Sequence, residues 1–186
     1  MKKLLLASQS PRRRELMQYL EVPFGVVSPT STEVYDSSKT LREQIEAIAY
    51  DKAKSVIDSN EESIIIGADT IVTIDGEILG KPHSEEEAVS MLQKLSGRSH
   101  EVITGVAIVS SLKEVVFSTV AKVHFFELTE EEIKNYVYSK EPMDKAGSYS
   151  IQGYASRFVS GIEGDFYTVM GLPVSALYQE LKKGGF

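Results

Sequence analysis

Strand-like and helix-like segments alternate along this chain, and two tight hairpins interrupt the alternation. That pattern constrains the fold more than any other feature. Residues 2–7 form a short apolar run suited to a buried strand. Ser10-Pro11 reads as an N-cap followed by proline at the first helical position, so a helix is expected to about residue 20. Thr40 and Glu43 form a capping-box pattern. They open a helix with Leu41, Ile45, Ile48, Ala49, Ala53, Val56 and Ile57 on one face and Lys52 at its margin. Residues 63–74 read as a strand, Asp75-Gly76 as a two-residue turn, and 77–79 as the returning strand. Ser84 with Glu87 is a second capping-box pattern, in a helix ending before Gly97. Residues 100–110 and 115–127 alternate as two long strands of a second hairpin. Thr129 with Glu132 is a third box, opening a helix to about residue 139. Residues 140–169, rich in Gly, Ser and Tyr, read as functional loop plus short strands. Gly171-Leu172-Pro173 starts a last helix, closed by Gly184-Gly185. Strict βαβ alternation would give a parallel sheet. Two hairpins instead predict an α/β fold with a mixed sheet flanked by helices, one domain over residues 1–186.

Composition narrows the classes. The 186 residues carry 20 basic and 27 acidic side chains, a net charge of 20 − 27 = −7. With 42% apolar and 25% charged residues, a disordered tail and a fibrous repeat are excluded. The length suits one compact domain or two small lobes. No apolar run approaches the ~20 residues that span a bilayer. The opening residues mimic a secretory signal briefly, but the apolar run is only about four residues, short of the ~7–15 required, and arginines follow. The expectation is a cytoplasmic protein without membrane contact. There is no cysteine, hence no disulfide, thiolate nucleophile or zinc–sulfur site. The negative charge argues against broad nucleic-acid binding, which needs a basic face, yet leaves room for a small anion in a local basic pocket.

Five stretches can carry chemistry. Ser8-Gln9-Ser10-Pro11-Arg12-Arg13-Arg14 joins a strand end to a helix start, where free N–H groups and the helix dipole attract anions. Three arginines there oppose the dipole, a cost that an anionic ligand offsets; arginine's fork suits phosphate. The alternative is a solvated basic face. Gly67-Ala68-Asp69-Thr70 follows an apolar strand, so Asp69 is expected at a sheet end, binding metal, orienting water or capping turn amides. Gly80-Lys81-Pro82 is not a P-loop: the glycine spacing from Gly76 is one residue short and Pro82 replaces the magnesium-binding hydroxyl. Lys81 can still neutralise phosphate, or be an exposed turn lysine. In residues 145–153 small side chains permit close backbone approach, and Gln152 offers both donor and acceptor to a base edge. Residues 162–173 read as a turn, a strand and a helix start rather than a pocket lining. Glu33 and Lys52 are ambiguous from their surroundings. His83, His100 and His124 show no ligand spacing and accompany no nucleophile elbow, so they read as structural or surface residues.

Six stretches in order resemble the Maf family of nucleoside triphosphate pyrophosphatases: Ala7-Ser8-Gln9-Ser10-Pro11-Arg12-Arg13, Gly67-Ala68-Asp69-Thr70, Leu79-Gly80-Lys81-Pro82, Leu95-Ser96-Gly97-Arg98, residues 146–153, and Met170-Gly171-Leu172-Pro173. The resemblance implies an elongated mixed-sheet α/β fold with two lobes around a cleft, similar to the inosine triphosphate pyrophosphatases. It implies cleavage of a nucleoside triphosphate between the α and β phosphates, and a divalent cation (Mg, Mn or Co). Asp69 matches the family's proton acceptor. Arg12, Thr70 and Gln152 match positions that separate substrate subgroups, in the combination of the dTTP- and UTP-preferring one. Ser8, Arg13, Lys52 and Lys81 are the expected phosphate-binding residues, and Glu33 joins Asp69 as a metal ligand. A homodimer is also implied.

That assignment suits the chemistry. A triphosphate carries about four negative charges, and its hydrolysis needs charge neutralisation and an activated water. Asp69 is expected to activate the water and Glu33 to position the metal, with the two roles exchangeable. Two other readings stand beside this one. The enzyme could clear modified pyrimidine nucleotides, or the chain could regulate septum formation and cell division by binding a partner or nucleic acid, a link the family carries.

Overall fold

Residues 3–60 and 62–184 are described by the structure, a computed structural model. Strand β1 (Lys3–Ala7) is followed by helix α1 (Pro11–Met17) and a 3₁₀ turn to Leu20. Ser10 caps α1, its hydroxyl accepting from Arg13 N, and Pro11 occupies the first turn. Strand β2 (Phe24–Val27) leads through an irregular loop to α2 (Leu41–Lys54), whose Thr40–Glu43 capping box is complete in both directions. Then come β3 (Ser63–Ile74), β4 (Glu77–Leu79), α3 (Glu85–Leu95), β5 (Ser99–Val109), β6 (Glu114–Phe125) and α4 (Glu130–Tyr138). Asp75 and Gly76 both have positive φ (54° and 78°), the backbone of a two-residue turn between β3 and β4. Strand β7 (Val159–Glu163), α5 (Phe166–Met170) and α6 (Val174–Gly184) complete the chain; the expected closure at Gly185 lies outside the described residues.

The sheet order is β2-β1-β3-β5-β6-β7, with β4 paired to β3. β1 runs parallel to both β2 and β3, whereas β3–β4 and β6–β7 are antiparallel, so the seven-stranded sheet is open and mixed. The hairpins cause the mixture, because only antiparallel neighbours can be joined by a tight turn.

Two expectations need correction. Residues 140–169 contain one strand rather than several. Three 3₁₀ turns (Glu141–Asp144, Ala146–Ser148, Gly153–Phe158) precede that strand, and the segment ends in α5. Asp165 stabilises the start of that helix by accepting from Thr168 N (2.8 Å) and Oγ1 (2.9 Å). The Ser84 box is also displaced. Ser84 Oγ accepts from Glu87 N at 3.1 Å, but Glu87 Oε2 accepts from the backbone N–H of His83 rather than that of Ser84.

The chain forms two compact units. The first comprises residues up to Asp69, Thr104–Thr119, and the chain from Gly171 on. Its core includes Leu5, Ala7, Ala49, Ala53, Val56, Ile65, Ala107 and Val109. Here α2 lies very close to β3. A Cβ on Gly67 would sit 2.2 Å from Ala49 O and 2.8 Å from Ala53 N, so only glycine permits this approach. The second unit comprises Thr70–Ile103 and Val120–Met170. Its core draws on Val72, Leu79, Leu92, Val123, Phe125, Tyr136, Tyr149 and Phe158.

Candidate active site

In the first unit the three parallel strands set the position of the site. Ala7 of β1 pairs with Val27 of β2 and with Gly67 of β3, and β1 and β2 both end there. β3 continues for seven more residues, so Asp69 lies within a strand and not at its end, contrary to the sequence expectation. It nevertheless stands just past the carboxyl ends of its two parallel companions, the region where open α/β sheets collect ligands. Asp69 is buried, 7% exposed.

Lys52 reaches Asp69 from α2. Its Nζ donates to Asp69 Oδ1 at 2.6 Å and to Glu33 Oε1 at 2.7 Å. Lys52 is itself buried rather than marginal, because the close α2–β3 approach at Gly67 brings its helix turn onto the strand. Glu33 belongs to the polar loop between β2 and α2, and its side chain is half exposed. Thr30 N and Oγ1 bond to Ser55 Oγ and O, which fastens this loop to the end of α2.

α1 contributes the cations. Arg13 Nε donates to Gly171 O at 2.8 Å, fixing the guanidinium. Burial lowers the Arg13 pKa, Asp69 and Glu33 pull it back up, and Arg12 pushes it down again. All three groups therefore lie within electrostatic range of Arg13. Arg12 and Arg13 are half-buried, while Arg14 is exposed. Ser8 is buried, and its Oγ accepts from Ser10 N at 3.1 Å.

Tyr35 joins this group, although nothing in the sequence singled it out. Although it is 44% exposed, its pKa is pushed up to about 12 by partial desolvation and by the negative charges of Asp69 and Glu33. A tyrosine two residues from Glu33 in a polar loop gives no sequence signal, because only the fold of the loop turns it towards the carboxylates.

The second unit holds the remaining candidates. Thr70 follows Asp69 on β3 and is half-buried. Lys81 and Gln152 are exposed, and their loops are joined by a 3.0 Å hydrogen bond from Gly147 N to Gly80 O. Gly147 takes φ 68° against Val72. His100 is buried beside Tyr149, and His124 bridges Ser99 and Glu163 across neighbouring strands. Among the described residues no three His, Asp or Glu converge as a ready-made metal cage.

An α/β chain that gathers two carboxylates and several cations where parallel strands end has the chemistry of a phosphate-handling protein. The family model described as Maf-like protein matches residues 3–184, and the chain belongs to the Maf family. It is 51% identical over 183 residues to a Bacillus cereus (strain G9842) protein named dTTP/UTP pyrophosphatase, covering 98% of this chain and 96% of that relative. A Bacillus cytotoxicus protein of the same name is 52% identical over the same shares.

Proposed function

We propose that this chain is a nucleoside triphosphate pyrophosphatase that cleaves dTTP and UTP between the α and β phosphates, giving the monophosphate and pyrophosphate. The names of its half-identical relatives support the substrate. The observation that carries the chemistry is the Lys52 ammonium held between Asp69 and Glu33, with the Arg13 guanidinium beside them.

Both carboxylates touch one ammonium, so their oxygens already surround a common point of positive charge. That donor set fits a divalent cation bound by one or two carboxylates together with substrate phosphates. Asp69 and Glu33 would hold Mg, Mn or Co, which when bound neutralises phosphate charge. Asp69 accepts the proton of the attacking water. Its Oδ1 is anchored by Lys52, and among the described residues its Oδ2 carries no hydrogen bond. Arg12 and Arg13 receive phosphate oxygens on α1, with the Ser8 hydroxyl at the strand end. Lys81 adds a point charge, and Lys52 holds both carboxylates in place. Arg12, Thr70 and Gln152 select the nucleotide, Thr70 and Gln152 through hydrogen bonds to the base edge. The protein works in the cytoplasm as a homodimer.

The test is a panel of nucleoside triphosphates with each of the three cations, the products read as pyrophosphate or orthophosphate. Release of pyrophosphate from dTTP and UTP ahead of purine nucleotides is expected. Orthophosphate as the product, or tight duplex DNA binding without turnover, overturns the reading.

A further inference from the structure

Gln152 is exposed, and among the described residues its side-chain amide has no hydrogen-bond partner. Its place is therefore set by the backbone that carries it. The segment 146–153 is held at several points. Gly147 N bonds to Gly80 O, and Ser148 Oγ lies 3.0 Å from Met91 Sδ. At the far end Gly153 has φ 73° and backs onto Glu141, which also accepts from Tyr136 Oη and Tyr154 N. Between them Tyr149, only 5% exposed, inserts its ring into the core.

The polar anchor for that ring is His100 of β5. His100 Nε2 and Tyr149 Oη are 2.7 Å apart, both residues are buried, and Phe125 packs edge-on against each ring at 5.1 and 4.8 Å. The bond has the same location whether Tyr149 donates to Nε2 or Nε2–H donates to Tyr149. Nδ1 of His100 is buried without a hydrogen-bond partner. An apolar ring would fill this slot without that penalty. Burial holds the His100 pKa down to about 4, so the imidazole is neutral at physiological pH. What the imidazole gains over phenylalanine is the bond to Tyr149, three residues before Gln152.

We propose that His100 is a positioning residue for base selection: its hydrogen bond to Tyr149 fixes the backbone of residues 146–153, and through it the place from which Gln152 reads the pyrimidine. This rests on the dTTP/UTP reading above.

The test compares kcat and KM for UTP, dTTP, CTP and GTP in the wild-type chain, Tyr149→Phe, His100→Phe, His100→Gln and Gln152→Ala, with circular dichroism to establish the folded fraction. Tyr149→Phe and His100→Phe lose the bond by different routes and keep ring volume, so failure of one to fold leaves the other to decide. Either is expected to narrow the UTP-over-CTP ratio of kcat/KM by about tenfold or more, mainly through KM. Gln152→Ala moves the ratio in the same direction. His100→Gln, whose amide can donate or accept, recovers most of the selectivity. Equal losses on every nucleotide, or an unchanged ratio in the bond-deleting variants while Gln152→Ala shifts it, overturns the inference alone. An unchanged ratio in Gln152→Ala overturns the base-reading assignment and the inference with it. A wild-type chain that turns over neither UTP nor dTTP overturns the functional reading beneath both.

Discussion

Lys52→Met keeps most of the side-chain stem and removes the ammonium. Asp69, with a side chain only 10% exposed, then loses a partner at 2.6 Å. Glu33, at 48% exposure, can turn to water. Removing one member of a buried ion pair costs about 3–5 kcal/mol, because the other charge stays buried. The exposed Glu33 arm adds at most ~1 kcal/mol. The Arg13 guanidinium compensates Asp69 partly and places the loss near the lower end, about 3 kcal/mol. For a chain of this size that lowers Tm by roughly 6–12 °C. Urea titration and thermal unfolding followed by circular dichroism measure it. Adding Asp69→Asn to Lys52→Met removes the stranded charge and should recover about half the loss or more. A Lys52→Met variant within ~0.5 kcal/mol of wild type, or a double variant no better than the single, would refute the reasoning.

Gly67→Ala forces a Cβ against backbone atoms of α2 at 2.2 and 2.8 Å, and should destabilise by about 1–3 kcal/mol or prevent folding; an unshifted urea midpoint contradicts the close approach. Thr40→Ala and Thr129→Ala each delete half of a complete capping box and should cost about 1 kcal/mol apiece by urea titration. His100 has a folded pKa near 4 against an ordinary 6.5, so between those values the unfolded chain binds the extra proton. Its stabilising contribution is whole above about pH 6.5 and is lost as the pH falls towards 4, up to about 3 kcal/mol. The stability difference between wild type and His100→Gln should show that window, and a flat difference contradicts it. Chelation of divalent cations should abolish pyrophosphate release and leave the far-ultraviolet spectrum unchanged; full turnover in excess chelator removes the metal from the proposal.

The elements that announced themselves in the sequence did so through local chemistry. Ser10-Pro11, Thr40–Glu43 and Thr129–Glu132 satisfy orphan N–H groups of their own helices, so the signal and its consequence lie within a few residues. Asp75-Gly76 fixed its hairpin for the same reason. What the sequence concealed depends on distant partners. The 3₁₀ turns of residues 140–163 follow from Tyr149 and Phe158 entering a core built by other elements. Asp69 reads as a strand-end carboxylate because nothing local says that β1 and β2 stop beside Gly67 while β3 runs on. The pairing of Lys52 with Asp69 and Glu33 spans 17 and 19 residues and requires the helix–strand contact at Gly67. Tyr35 and His100 carried no motif of their own; their roles come from the charges and rings around them.

The carboxylate inside β3 as the base that takes water's proton is best tested by the steady-state kinetics of Asp69→Asn on UTP, in protein confirmed as folded. A loss in kcat of about 10²-fold or more, with KM changed far less, is expected. Turnover close to wild type in that variant would contradict the account.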